Sequence, residues 1–379
     1  MRVLILGAGF GGLELATMLS ESGESFEVTL IDQSDAFVFG YSKLDVMFGR
    51  TTFDAVRLPY ADISKPGVQF VQETVLKIDP EARTVRTDGG SHEGDVLVVA
   101  LGADYEVDAT PGLAGVDEFY SVAGAETLAA KLPSFEGGRV VVGVCDAPYK
   151  CPPAPSEASL LLHDYLGDRG VRGDTEITFV SPLSIPIPPS PETSNALLSA
   201  FSERGIAWIG GTRIASIDGG NVALLDDGRE LPFDLFLGVP KHRAPDVVIS
   251  SGMTEDGYIP VSSQTLQTAY PAVYAVGDVT TAGVPKAGLF AEGAARVVAK
   301  TLIAVARGGE HPPPYDGRGS CYIEFGQGEV ARVDIDFLSG PVKTGTYIAP
   351  SDAIVAEKKE FGASRRARWF GQTPVTARA

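Results

Sequence analysis

Arg2-Val3-Leu4-Ile5-Leu6 runs directly into Gly7-Ala8-Gly9-Phe10-Gly11-Gly12, and residues 13–20 follow with apolar side chains at helical spacing. Glu27-Val28-Thr29-Leu30-Ile31-Asp32 is a second short, mostly apolar run, closing on an acid. An apolar run without strict alternation fits a strand buried on both faces, as in a parallel sheet. Gly7, Gly9 and Gly12 have the spacing of a phosphate cradle. The first allows a tight turn, the second lets backbone approach a pyrophosphate, and the third lets helix and strand pack closely. The helix N-terminus then faces the phosphate charge. Asp32 lies 20 residues after Gly12, where a carboxylate accepts hydrogen bonds from an adenosine ribose. Strand, glycine turn, helix, strand and acid, in that order, predict a dinucleotide site at the N-terminal end.

Strand texture returns at residues 95–100, 139–142 and 176–180, alternating with helical patterns at 125–131, 157–166 and 191–204. Such alternation predicts an α/β chain with doubly wound parallel layers. Two Rossmann-like units of the FAD/NAD(P)-binding type are expected, with a small C-terminal α+β segment. Turn-rich sequence at Pro111-Gly112-Leu113-Ala114-Gly115 sets a first crossing, and Pro245 a return before strand-like sequence at Tyr258-Ile259-Pro260-Val261. The expected division is 1–112 and 246–312 for the two parts of the first unit, 113–245 for the second, and 313–379 for the C-terminal segment. Gly308-Gly309 and the proline run at 312–314 mark the last boundary.

The 379 residues carry 31 Lys+Arg against 49 Asp+Glu, a net charge of −18, which argues against a nucleic-acid partner. Hydrophobic residues at 44% and charged ones at 21% are the balance of a globular protein with a large core. No apolar stretch approaches the roughly 18 residues of a membrane span. A strand beginning almost at Met1 leaves no room for a signal peptide, so a cytoplasmic location, or the cytoplasmic face of a membrane, is expected. The C-terminal end differs in sign. From Asp352 onward six Lys or Arg face three acids, accompanied by Phe361, Trp369 and Phe370. That segment suits peripheral contact with an anionic membrane surface; a solvated helix or a homodimer contact is the alternative.

In the middle unit, the place of a second glycine cradle is taken by Gly143-Val144-Cys145-Asp146-Ala147-Pro148-Tyr149-Lys150-Cys151-Pro152-Pro153-Ala154-Pro155. Four prolines offer no N–H to a phosphate and one glycine remains, so no nicotinamide site is expected there. Three cysteines are too few for a secreted disulfide scaffold, and the three cysteines and four histidines show no metal-ligand spacing; no metal is expected. His92 and His311 fall in turn-like sequence. His163 lies on the helical stretch after Cys151, where it could help deprotonate a thiol. His242, in Val239-Pro240-Lys241-His242-Arg243, reads either as a surface histidine or as a proton-handling group.

Further segments carry a family resemblance. Tyr270-Pro271-Ala272-Val273-Tyr274-Ala275-Val276-Gly277-Asp278 resembles the second flavin motif of the two-dinucleotide-binding flavoproteins, and residues 97–103, with Ala100 and Gly102, resemble their strand and turn ending in Ala-x-Gly-Ala. The resemblance implies FAD, with Gly277 and Asp278 at the ribityl chain. Pro285-Lys286-Ala287-Gly288 opens a helix whose N-terminus, with or without Lys286, would then stabilise negative charge on a reduced flavin; a solvated first-turn lysine is the other reading of Lys286.

Tyr149-Lys150-Cys151-Pro152-Pro153-Ala154-Pro155-Ser156-Glu157 and Gly319-Ser320-Cys321-Tyr322 resemble the two cysteine segments of the sulfide:quinone oxidoreductase and flavocytochrome c sulfide dehydrogenase group. That resemblance implies a redox-active Cys151–Cys321 disulfide beside the flavin, oxidising sulfide or a small thiol or persulfide and passing electrons to a quinone. Lys150 would favour a thiolate. Cys145 leaves open a pairing with Cys151, or a buried free thiol. Glu157 is either a helix-start acid or a proton acceptor. An NAD(P)H-dependent flavin reductase resembling type II NADH dehydrogenases, and a flavin electron-transfer subunit docking on a cytochrome, are the alternative functions.

Overall fold

A computed structural model describes residues 1–310 and 312–372. The chain opens with β1 (Arg2–Leu6), helix α1 (Phe10–Glu21) and β2 (Glu27–Asp32). A short helix α2 (Ser42–Met47) precedes β3 (Val68–Gln72) and β4 (Val96–Val99). The middle of the chain alternates α3 (Val122–Lys131), β5 (Gly138–Val144), α4 (Ala154–Asp168), β6 (Thr175–Ser181), α5 (Pro191–Glu203), β7 (Ile206–Gly210) and β8 (Leu235–Val239). β9 (Val273–Ala275) and the long helix α6 (Gly288–Arg307) return to the first unit. Three strands, β10 (Arg318–Gly326), β11 (Glu329–Asp336) and β12 (Thr344–Ile348), and helix α7 (Asp352–Phe370) complete the described chain.

β9-β4-β1-β2-β3 form one parallel sheet and β7-β6-β5-β8 another. Val3, Leu4, Ile5 and Leu6 are all buried because helices or loops cover both faces of the first sheet. Val3 and Ile5 join Leu13, Leu15 and Leu19 of α1 and Val298 and Leu302 of α6 in one core. Leu4 and Leu6 face the other way, onto Ile78, Val248 and Met253. Each such buried aliphatic chain contributes roughly 1.5–3 kcal/mol. The C-terminal sheet β10-β11-β12 is antiparallel. It joins the core of the second sheet through Ile323 and Val333, which share a cluster with Val142, Leu160 and Leu162. This docking brings β10 against α4 and sets the cysteine segments together. α6 stops at Gly308, whose φ of 63° supplies the left-handed cap other residues reach only with strain.

Two expectations are corrected. Tyr258-Ile259-Pro260-Val261 is not a strand; only single bridges, Glu255 to Tyr258 and Ile259 to Thr280, form there, since Pro260 has no N–H to extend a ladder. The aromatic residues at the end of α7 are not laid out for a bilayer. Trp369 and Phe370 are buried in the first unit's core, where Trp369 meets Phe10, Phe37 and Phe39. Lys358, Arg365 and Arg368 of the basic run pair with acids of the chain. Trp369 Nε1–H donates to Glu14 Oε2 at 3.0 Å, Arg368 pairs with Glu14, and Arg365 pairs with Glu292. Among the described residues no helix is long and apolar enough to cross a membrane. Arg378 lies outside the described residues.

Candidate active site

The glycine cradle follows from the turn after β1. Gly7 has φ 98°, and a Cβ there would lie 2.4 Å from the Ala100 carbonyl oxygen. A Cβ on Gly12 would lie 2.0 Å from the Gly7 oxygen, so only glycine lets α1 start this close to the strand. A Cβ on Gly9 would meet nothing within 4 Å: this glycine fronts open space. Asp32 accepts the N–H groups of Ala8 and Ser34, each at 2.8 Å. Gly7, Gly9, Asp32, Ala100, Gly102 and Gly277 all line one cavity of about 760 Å³.

The inner end of that cavity is charged. Asp278 is half-buried, and its Oδ1, closed to solvent, has no hydrogen-bond partner among the described residues. Burial raises its carboxyl above the ordinary range while Lys150, Lys286 and Lys43 pull it down. Lys286 is no solvated first-turn lysine: it is buried two residues before α6, donates to the Asp278 carbonyl at 2.6 Å, and sits 3.4 Å from the centre of the Tyr258 ring. Burial lowers it to about 8, against the pull of Asp278. α6 begins after Ala287 without a side-chain cap, so its first N–H groups face the same cavity that Ala287 and Gly288 line.

Cys151 and Cys321 reach the same cavity from segments 170 residues apart, and both line it. Cys151 precedes α4 with φ 48°, the left-handed region that a non-glycine residue enters only when held. Its N–H donates to the Lys286 carbonyl at 2.7 Å, and its carbonyl accepts the Ala154 N–H at 2.8 Å. Cys321 lies on β10 opposite Val333. All three cysteines are free thiols here. Burial pushes Cys321 up to about 12, and raises Cys151 well above the thiol range, with the Glu157 charge raising both further. Lys150 does not serve the thiol as expected; its Nζ donates to the Ala103 carbonyl at 2.8 Å over the Tyr105 ring. The lysine whose charge opposes the rise at Cys151 is Lys43 of α2. Cys145 lies apart, buried among Leu113, Val141, Val180 and Phe236.

Glu157, in the first turn of α4, is buried on the cavity wall and accepts the Glu324 N–H at 3.0 Å. Burial lifts it to about 7, while Lys358 and Arg50, both paired with Glu324, restrain the rise. Lys43 and Tyr120 were not singled out from the sequence, and Lys358 was read only as part of the C-terminal basic segment, although all three line the cavity. None belongs to a motif, and only the fold carries them there. His242 is not at the surface; it is buried, its Nδ1 2.7 Å from the Pro240 carbonyl, and burial lowers it to about 3. His163 lies off the cavity beside Asp164, and His92 pairs with Glu73. His311 lies outside the described residues.

Whether the residues fit FAD is answered by three features: a glycine turn in which a Cβ on Gly7 or Gly12 would strike backbone while Gly9 fronts open space, an enclosed carboxylate oxygen without a partner where a ribityl hydroxyl would donate, and a volume suited to a large cofactor. They fit. Fold and site thus define an FAD-dependent oxidoreductase. The model of the pyridine nucleotide-disulphide oxidoreductases matches residues 1–306, and the chain belongs to that family.

Among individual proteins, the chain is 24% identical over 369 residues to the mitochondrial sulfide:quinone oxidoreductase of Mus musculus, covering 93% of this chain and 82% of the relative. To the type II NADH:quinone oxidoreductase of Staphylococcus saprophyticus it is 35% identical, but over only 121 residues, 31% of this chain and 29% of the relative. The crystal structure of the Aquifex aeolicus sulfide:quinone oxidoreductase shares the fold with a TM-score of 0.84 at 24% identity, covering 97% of this chain and 92% of that one.

Proposed function

We propose that this flavoenzyme oxidises sulfide, or a small thiol or persulfide, through a redox-active Cys151–Cys321 pair and passes the electrons to a quinone. The observation that carries this reading is that two cysteines from distant segments share one wall of the FAD cavity, with the buried Glu157 beside them. In the oxidised pair, hydrosulfide attacks Cys151 Sγ, the S–S bond breaks, and Cys321 leaves as a thiolate; Cys151 then carries a persulfide. Glu157, with an affinity for protons matched to neutral pH, takes the persulfide proton. The persulfide anion and the Cys321 thiolate together give up two electrons and close as a sulfur-bridged Cys151–S–Cys321 link. Bound FAD would supply the acceptor for that electron pair and the route from it to the quinone.

The chain's other groups set the stage for this step. Lys43 supplies positive charge near Cys151, and Lys286 and the α6 N-terminus supply it near Asp278. The proline-rich segment after β5 supports a thiol donor over NADH: α4 begins at Pro153 and Ala154 and turns its first residues to the FAD cavity rather than to a second phosphate. The local likeness to a type II NADH:quinone oxidoreductase favours NADH as the competing donor. Anaerobic titration at the flavin absorbance separates the two. Sulfide is expected to bleach the flavin; bleaching by NADH with none by sulfide would overturn the proposal.

A further inference from the structure

Near the sulfur wall, two buried polar atoms lack partners among the described residues: Tyr120 Oη and His242 Nε2. The two rings meet edge to face with centroids 5.3 Å apart. Tyr120 lines the cavity, yet only 4% of it is exposed. Its backbone is fixed on both sides. The Tyr120 N–H donates to Glu118 Oε2 at 2.6 Å, and its carbonyl accepts Tyr105 Oη–H at 2.6 Å and the Lys43 ammonium. Ser121, the next residue, caps α3. The ring itself is buried and packed edge to face against Tyr105, Phe119 and His242, which leaves its hydroxyl little room to turn toward another partner.

A buried hydroxyl without a partner lowers stability, and phenylalanine would fill the same space without that penalty. The fold itself has no use for this oxygen. Its surroundings show what does. Burial, together with the negative charge that Tyr149, Cys151, Tyr105 and Glu157 can carry, holds the phenol protonated, so that it is a donor at every physiological pH. The cavity wall that Tyr120 shares combines the apolar Leu44 and Phe119 with the Lys43 ammonium, and carries Cys151 and the Glu157 carboxyl nearby. One phenol O–H and one ammonium satisfy a soft monoanion such as hydrosulfide. They leave an oxyanion such as sulfate with most of its hydration lost and unreplaced.

We infer that Tyr120 is a substrate-binding residue, its hydroxyl donating a hydrogen bond to the hydrosulfide or persulfide anion that reacts at Cys151. The assignment rests on the sulfide reading above and names the residue that selects the substrate class. The test is Tyr120→Phe in the holoenzyme, read by mass spectrometry of the Cys151 peptide after a brief exposure to limiting sulfide. The expected result is about tenfold less persulfide at Cys151 than in the wild type, the loss of one hydrogen bond to an ion. The flavin spectrum should be unchanged, and the melting temperature equal or higher. Equal persulfide yield in the two proteins overturns the assignment. So does an altered flavin spectrum with unchanged yield, which would give the hydroxyl to the cofactor. If the wild type itself gains no persulfide at Cys151, the sulfide reading falls first and the assignment with it; if it does gain persulfide, failure of the variant to differ sinks only the role of Tyr120.

Discussion

Replacing Glu157 by Gln tests whether the acid beside the cysteines is a proton acceptor or a structural cap. The side chain is buried and its carboxyl is raised from 4.5 to about 7, by burial before any other cause. A carboxyl that holds its proton more tightly in the folded state stabilises the fold fully at pH below the unfolded value. That contribution is lost as pH rises through the folded value. At ~1.4 kcal/mol per pH unit, the rise is worth ~3 kcal/mol, lost between pH 4.5 and just above 7. Gln keeps an oxygen for the Glu324 N–H and has nothing to titrate. Urea unfolding of both proteins at about pH 4.5 and about pH 8 should therefore show the wild type losing ~3 kcal/mol relative to Glu157→Gln on going to the higher pH. The same change removes a negative charge that raises Cys151 and Cys321, so both thiols should alkylate severalfold faster at about pH 8. Parallel stability curves, with the difference between the proteins constant to about 0.5 kcal/mol, would refute the reasoning.

Further outcomes follow from particular contacts. Cys151→Ser and Cys321→Ser should each slow flavin bleaching by sulfide about a thousandfold while leaving FAD bound, by stopped-flow absorbance; a variant within tenfold of the wild type would remove that cysteine from the relay. Gly12→Ala places a Cβ 2.0 Å from the Gly7 oxygen, and the purified protein should contain less than about a tenth of the wild-type FAD per chain, or fail to fold. Glu14→Ala leaves the buried Trp369 Nε1–H without its acceptor and takes one of two acid partners each from Arg296 and Arg368, and should lower stability by about 2–4 kcal/mol in denaturant titration.

The N-terminal unit was legible because its signals are local: the apolar run at Val3–Leu6, the glycines and Asp32 all act within about thirty residues of one another. The cysteine segments were legible as motifs, although nothing in either one says that β10 docks against α4. Lys43 and Tyr120 were invisible because their meaning lies in what the tertiary fold removes, namely water and alternative partners. The end of α7 was misread for a related reason. A basic, aromatic stretch has the same texture whether it faces lipid headgroups or acids of its own chain, and its partner Glu14 lies 355 residues from Trp369. His242 likewise packs against Tyr105, which the pairing of residues 104–106 with 241–243 sets beside it, and against the ring of Tyr120.

Phe10, between the second and third glycines of the cradle, stacks on Phe361 and meets Trp369 edge to face. Residues synthesised long after the glycine loop thus form part of its wall. A nascent chain lacking α7 would present Phe10, Phe37, Phe39 and the Glu14 carboxylate to solvent, so the nucleotide pocket is completed only once α7 has been translated. A chain that stopped within α7 before Phe361 would leave a sticky, open cradle rather than a slightly shortened enzyme.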